Sequence, residues 1–502
     1  MEATRPYKAY VPRPFTRSER SHVSILFGGL HWRVERVVEA VFENAGYRAQ
    51  RLPTATRQDL NLGRELADIG QCCPTSFTTG NLASFLNARA ADIGADEVAR
   101  RYVYLTAGAC GACRFGQYHQ SYELALRNIG LEAFRLFLMA QDSLDQGDGR
   151  GDGLEIDLFV STGIVWAILC TDVLQDLEYQ TRPYEVVSGK TDAVVAECVE
   201  LLCDAFRARP RYGRRWTVLA WHLSTSYFAR VLDEIAGKFA AIEVDRLRLK
   251  PIVKITGEFY LQTVEGDPNY NIHRWLEAEG AQVYPAAITV WLDYWMRWYV
   301  QGFEDHLGVD RYARAKIAAV RGLQRLLRWT YDRFRARLGG IPAAMPDQYE
   351  LRRLAAPFFH SRLSGGEGDM LVGKALWAFT HKKAHMICEL SPYSCMPNTM
   401  SVGAMAAVVG RFPDLIYAPI EVKGDAEVHA LSRCQMILAQ ARTRAKAELE
   451  TALEWTGMTI DQARHRVEGD AAMKSATWRV PHGGCVGTAA NLVLHLGGRR
   501  AS

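Results

Sequence analysis

The chain has 502 residues, 48% of them hydrophobic, which is enough for two or three compact units with cores of their own. Sixty Lys and Arg against 56 Asp and Glu leave a net charge of only +4, and the arginines are dispersed; this argues against nucleic acid or an acidic membrane surface as a partner. The N-terminal residues lack the apolar core of a signal peptide and no run has the length of a bilayer span, so the expectation is a cytoplasmic protein. Eleven cysteines are many for a reducing compartment, where disulfides do not persist, and metal or redox chemistry is the leading explanation for some of them.

Residues 1–20 are polar, with three prolines, and read as an N-terminal arm. The first α/β domain is expected over 21–161. Val23 to Phe27 is a short apolar strand, Gly28-Gly29 a tight exit, Trp32 to Ala45 a helix by its spacing, and Tyr47 to Leu52 a second strand. Such a βαβ opening predicts a parallel sheet. It carries Gly28-Gly-Leu-His-Trp32 and not three spaced glycines, so no NAD site is inferred. Cys72-Cys73-Pro74 precedes a helical run from Asn81, with Thr75 or Ser76 as its cap. Tyr102 to Thr106 is a strand, Tyr118 to Asn128 its helix, and Phe134 to Met139 a further strand. The aspartates around Asp148-Gly-Arg-Gly-Asp152 lack the twelve-residue calcium pattern and read as a solvated turn.

Residues 162–250 are predominantly helical, and Cys170, Cys198 and Cys203 fall on apolar faces there as core filler. A second α/β domain is expected over 251–435, opening with Pro251 to Gly257 as a strand that ends in a glycine turn. A helix over Asn271 to Glu279 and a strand over Ala281 to Ala286 repeat the grammar of the first domain. Trp291 to Tyr299 is a packed aromatic helix face, and Arg311 to Arg337 a long basic helix with a solvated charged side. Met386 to Asn398 reads as a cysteine loop leading into a helix, Leu415 to Ile420 as a strand, and Glu427 to Glu450 as a helix. Residues 436–502 form a C-terminal helical tail with a loop at His482-Gly-Gly-Cys485-Val-Gly487. The fold class is therefore α/β, two parallel-sheet domains with a helical layer between them.

The stretch of densest chemistry is Leu105-Thr-Ala-Gly-Ala-Cys110-Gly-Ala-Cys113-Arg-Phe-Gly-Gln-Tyr118. Its small residues let a bulky group approach the backbone, and a thiolate at a helix N-terminus is stabilised by the macrodipole. The plain alternative is a βα corner whose cysteines are small buried hydrophobes. No pair of Cys-x-x-Cys units stands at zinc-ribbon spacing, and a thioredoxin-like Cys110/Cys113 dithiol leaves the other two cysteine loops unexplained. Three loops, each placing a cysteine beside Pro or Gly at a helix start, fit one multi-thiolate cofactor, an iron–sulfur cluster. Glu258, His119 and Glu389 stand beside these loops and are candidate acid–base residues, with a capping or surface role as the alternative. Glu421, Lys423, Asp425 and His429 form a polar segment that belongs to the same crevice.

The runs Phe27-Gly-Gly-Leu-His-Trp32, Cys73-Pro74, Gly108 to Tyr118, Gly257-Glu258 and Ser391-Pro-Tyr-Ser-Cys-Met-Pro-Asn398 resemble the 2-hydroxyacyl-CoA dehydratase family, in particular the dehydratase-like portion of its large CoA-activase-related proteins. The resemblance spans about residues 23 to 435. It implies Rossmann-like domains holding a [4Fe-4S] cluster on three cysteines with one iron open. It further implies a separate ATP-dependent iron–sulfur activator that supplies a low-potential electron, and an acyl-CoA substrate dehydrated through a ketyl radical. A sister subunit or a homodimer is the implied assembly. Carried over by position, Cys73, Cys110 and Cys395 are the cluster ligands, Cys113 is the rival of Cys110 in cofactor binding, and Cys72 and Cys388 are extra ligands if the centre is of the double-cubane type. The helical insert at 162–250 and the extended tail depart from plain dehydratase subunits and leave a non-catalytic relay or scaffold, a double-cubane-type reductase, or a structural zinc protein as other readings. The nucleotide-fold signatures of the activator are missing, so ATP hydrolysis is not expected of this chain.

Overall fold

The computed structural model describes residues 12–67, 70–108, 113–139, 144–145, 153–211, 215–363 and 367–498. Its first sheet contains β1 (Ser24–Phe27), β2 (Arg48–Arg51), β3 (Tyr102–Ala107) and β4 (Arg135–Met139), parallel and in the order β2-β1-β3-β4. A two-residue β5 (Leu144–Asp145), unforeseen from the pattern, pairs antiparallel with β4. Ser24 is in register with both Arg48 and Tyr102, and Val103 with Arg135. Connections run through α1 (Trp32–Asn44), α2 (Arg57–Leu66), α3 (Cys73–Ile93), α4 (Ala95–Arg101) and α5 (Tyr118–Asn128). Along β1, Ile25 and Leu26 are both fully buried although they point to opposite faces, as a parallel sheet covered on both sides requires.

Four helices follow: α6 (Leu158–Thr181), α7 (Lys190–Arg207), α8 (Arg215–Ser224) and α9 (Tyr227–Ala240). Asp157 caps α6 by accepting the Val160 N–H at 2.9 Å. Among the described residues α6 alone is long and apolar enough to cross a bilayer, yet 72% of that window is buried inside the protein, where it serves as the central core helix. Cys170, Cys198 and Cys203 are fully buried in this layer.

The second sheet holds β6 (Ile252–Gly257), β7 (Gln282–Tyr284), β8 (Met386–Pro392) and β9 (Ile416–Val422), all parallel, in the order β7-β6-β8-β9. Its helices are α10 (Phe259–Thr263), α11 (Ile272–Ala278), α12 (Ile288–Asp305), α13 (Ala313–Arg337), α14 (Gln348–Ala355), α15 (Gly368–Thr380), α16 (Met396–Arg411) and α17 (Glu427–Thr456), and α18 (Ile460–Glu468) and α19 (Thr488–Leu496) complete the chain. Numbered within its own half, each parallel sheet runs second, first, third, fourth, so both are Rossmann-like and both reverse their winding between the first and third strands. The helical layer lies between them: α6 packs on α1 on one side and on β7, α12 and α13 on the other.

Several boundaries differ from the expectation. The helix expected from Asn81 begins eight residues earlier, because Cys72 takes the N-cap position and Pro74 is accommodated in the first turn; Thr75 and Ser76 are buried inside it and are not caps. Met386 to Pro392, expected in a loop, is the central strand β8, leaving only Tyr393 to Cys395 as loop. Helix α17 runs unbroken across residue 435, where the second domain was expected to end. Helix α13 lies in the stretch assigned to the second domain, yet Leu327, Tyr331 and Phe334 pack into the core of the helical layer. The Asp148–Asp152 turn lies outside the described residues.

A buried ionic network ties the three parts together. Arg33 on α1 reaches Glu178 on α6 and Glu265 beyond α10, each at 2.5 Å. Arg182 joins the same Glu178 and, at 3.3 Å, Glu277 on α11. Arg33 and Glu178 are only 1% exposed, so both charges depend on partners within this network for compensation.

Candidate functional site

The loops that leave the carboxyl ends of the strands at the two reversals face each other across the seam between the α/β domains. On the first side α2 and α3 set the position of Cys73. The two helices touch backbone to backbone: a Cβ on Gly63 would lie 1.8 Å from the Ser76 carbonyl oxygen, and one on Gly80 would lie 1.7 Å from that of Asp59. Only glycines permit this approach, which pushes the N-terminus of α3 toward the second domain. Leu60, Cys73 and Phe77 accordingly pack in the core of the second sheet. The Cys73 N–H donates to the Tyr393 carbonyl at 3.3 Å, two residues before Cys395.

Cys395 holds the N-cap position of α16, with Pro397 in the first turn and its own N–H donated to Pro392 O at 3.1 Å. Cys113 opens the single 3-10 turn before α5, and its Sγ accepts the Phe115 N–H at 3.5 Å. Cys72 Sγ lies 3.0 Å from Thr75 Oγ1 and 3.3 Å from the Tyr118 hydroxyl. Burial pushes the thiols of Cys73 and Cys113 up to about 12, and that of Cys395 higher still, with the Glu258 carboxylate adding to the rise in all three. Cys113 and Cys72 also bear on Cys395, so thiols from both domains share one low-dielectric crevice. Cys110 lies outside the described residues. Among the described residues no three His, Cys, Asp or Glu side chains stand close enough together to hold a metal ion.

Glu258 is wedged into this crevice by the turn before it. Gly257 adopts φ +124°, and a Cβ there would lie 2.2 Å from Leu390 O and 2.5 Å from Leu390 N, so β6 ends pressed against β8. The Glu258 N–H then donates to Leu390 O at 3.0 Å, and its carboxylate caps α10 by accepting from Leu261 N–H at 3.0 Å. Burial raises its pKa to about 7 despite that bond, and the neighbouring Glu367 carboxylate pushes the same way. Glu258 can therefore hold or release a proton near neutral pH.

Glu389 is differently placed. It lies on β8, buried, with its carboxylate accepting from Asn398 at 2.8 Å, Ser401 at 3.2 Å and the Tyr417 hydroxyl at 2.7 Å. Three fixed donors make it a scaffold for the start of α16, next to Cys395. His119 is half-buried on the first turn of α5 beside Tyr118. Cys388 corrects the expectation of an extra ligand: it lies on the strand, with no exposed surface, against the Cys434 thiol, whose contact together with burial drives its pKa up. Of the polar segment after β9, the Lys423 and Gly424 N–H groups donate to the Tyr270 hydroxyl at 2.8 and 3.0 Å, and Asp425 lies 3.7 Å from Arg64, the cation that bears most strongly on Cys73.

The residues that the sequence pattern did not single out are Glu367 and Lys374, on either side of the first turns of α15. The Lys374 ammonium donates to Gln262 Oε1 at 3.1 Å, and burial lowers its pKa to about 8 against the pull of Glu367 and Glu389. The signal was a lone lysine in the otherwise apolar run Met370 to Phe379. On the first-domain side, a cavity of about 480 Å³ opens beneath Gly28 and Gly29, bounded by Glu35, Tyr104, Tyr260 and Glu265. The Gly-Gly-Leu-His-Trp motif builds its rim: His31 caps α1, accepting from the Val34 N–H at 3.3 Å, while the Leu30 N–H is donated to Glu35 at 2.9 Å. No protein-family model matches the chain, and no curated protein matches it.

Proposed function

We propose that this chain is the iron–sulfur component of a 2-hydroxyacyl-CoA dehydratase-type system, with Cys73, Cys110 and Cys395 as the thiolates that hold a [4Fe-4S] cluster. The observation that carries this reading is the contact between Cys73 N–H and Tyr393 O, which brings cysteine-bearing helix starts of two separate domains face to face. The donor set fits the group: buried thiols, raised by desolvation, become thiolates when a cation replaces the lost solvation. When bound, the cluster supplies one-electron chemistry toward an acyl-CoA thioester. The chain's own contribution is to exclude water from the crevice, to orient two thiols at helix N-termini, and to hold a proton on Glu258 near pH 7. Tyr393, Met396 and Met400 are exposed around the Cys395 loop and suit the docking of an ATP-dependent electron donor.

Strictly anaerobic purification should give a brown protein with broad absorbance near about 400 nm and stoichiometric iron and sulfide. Cys73→Ser and Cys395→Ser should each lose the iron while remaining folded, and Cys388→Ala should keep it. An iron-free wild-type protein would sink the proposal, and zinc in its place would assign the crevice a structural role. The relay reading rests on Glu389, whose three hydrogen bonds remove it from acid–base work. A cluster-loaded protein that accepts electrons yet turns over no 2-hydroxyacyl-CoA would establish that reading.

A further inference from the structure

A separate cavity of about 240 Å³ lies where the loop after α13, the edge strand β7 and the C-terminal segment meet. Its wall includes the His482–Gly487 loop, which the cysteine crevice does not use. Asn491 on α19 holds that loop: its Oδ1 accepts from Gly483 N–H at 2.7 Å and Cys485 N–H at 3.3 Å, and its Nδ2 donates to the carbonyls of Cys485 and Gly487, both at 2.9 Å. The wall is thus built before any ligand arrives.

The lining is strongly cationic, with Arg246, Arg335, Lys382, Lys383 and Arg479 around it and, among the described residues, Asp176 as the single carboxylate; burial and the neighbouring cations lower the pKa of His482, which lines it as a neutral ring. Asp176 is already engaged, accepting from Ala343 N–H at 2.6 Å and from Gln180 at 3.0 Å. Arg335 donates to Pro342 O at 2.6 Å and sees Asp332 only at 3.8 Å. Burial and Arg479 both depress Lys383, and burial and Arg335 both depress Arg479. Like charges gathered in a concave, partly desolvated place repel one another, and an anion that enters relieves the repulsion and gains a focused field.

We infer that this cavity binds a phosphate-bearing small molecule carrying at least two negative charges, the diphosphate class, through Lys383, Arg479 and Arg335. A guanidinium presents paired donors that match phosphate oxygens, and a lysine adds a point charge. A concave site of this size suits a small ligand, whereas nucleic acid needs an extended basic stripe. Trp377 and Trp478 also line the cavity and offer flat surfaces for a ring attached to the phosphates. The inference does not depend on the cysteine crevice.

Isothermal titration of the full chain at low salt with inorganic pyrophosphate and, separately, with ADP is the test. The wild-type protein should bind pyrophosphate at one site, and more weakly as salt is raised. The Lys383→Gln/Arg479→Gln double variant should bind at least tenfold more weakly, while Lys446→Gln on α17 binds as wild type. Tighter binding of ADP than of pyrophosphate would assign a nucleotide-like ligand stacked on tryptophan, and equal binding a free diphosphate. If the double variant does not fold, Arg479→Gln alone, at an exposed side chain, should still weaken binding at least threefold. No saturable binding by the wild type, binding no tighter than sulfate, or a folded variant that binds like wild type would overturn the inference.

Discussion

The two α/β halves share one strand order and differ in what happens at the first turn. In the first half the turn after β1 is loose: Gly29 has φ +101°, and an added Cβ would find its nearest neighbour, Tyr260 Cε2, only at 4.0 Å. A cavity opens beneath it. In the second half Gly257 is jammed against the backbone of Leu390, and the next residue, Glu258, is driven into the seam. One topology therefore yields a pocket on one side and a wedge on the other. The difference lies in how closely the first strand's exit approaches its neighbour, not in strand order.

The largest effect should come from cutting the ionic network that holds the halves together. Arg33→Met leaves the part-buried Glu265 without its cation and the buried Glu178 with Arg182 alone, and should cost about 3–5 kcal/mol in urea unfolding. Lys238→Ala, which breaks the exposed, salt-screened pair with Glu197 at 2.9 Å, should leave the urea midpoint almost unchanged. The glycine contrast is next. Gly257→Ala should destabilise by roughly 3 kcal/mol, because positive φ and overlap with backbone atoms act together. Gly29→Ala, with strain alone, should cost about 1 kcal/mol. Equal losses at the two positions would remove the distinction between the halves.

A pH series sharpens the same comparison. Burial lifts the Glu35 carboxyl, at the rim of the first-half cavity, to about 7, despite the N–H groups of Leu30 and Gly29 and the charge of Arg51. The folded value is above the unfolded one, so the stability linked to the bound proton is full below about pH 4.5 and is lost as pH rises through about 7. Glu35→Gln should flatten this decline by roughly 2–3 kcal/mol between pH 5 and 8. Glu19 behaves oppositely: burial is outweighed by Arg135 and Thr16, its carboxyl is held at about 2, and its contribution is lost only as pH falls from about 4.5 toward 2. A small effect is likewise expected at Cys170→Ala in the helical layer, about 1 kcal/mol, with no change in bound iron.

Much of the fold was legible because its signals are local. The strand at Val23 to Phe27, the helix from Trp32, the exit at Gly257 and the helical character of 162–240 each depend on apolar spacing and on glycines within a few residues. Cys170, Cys198 and Cys203 read as core residues for the same reason. Cys388 did not, since an apolar strand of seven residues and a cysteine loop look alike in sequence until β9 pairs along the whole of Met386 to Pro392. The start of α3 was displaced because Thr75, Ser76, Thr78, Thr79 and Gly80 are weak helix formers, and the turn they make is held by the backbone contact with α2. Glu367 and Lys374 stayed hidden because their partners, Trp291 for Glu367 and Gln262 for Lys374, lie far away along the chain.

By itself the sequence determined the alternation of strands, glycine turns and helices, and which cysteines lie at helix starts, because periodicity, capping and backbone freedom act over a few residues. Only the tertiary structure decided that the Cys73 and Cys395 helix starts meet, that Cys388 turns into a core, and that α13 serves the helical layer and not the second sheet. These depend on the Gly63–Gly80 contact, on strand register and on the burial of Arg33 with its carboxylates. Each joins segments whose separation along the chain leaves no trace in local pattern, and each is chosen because the alternatives would leave backbone overlapping or charges buried without partners.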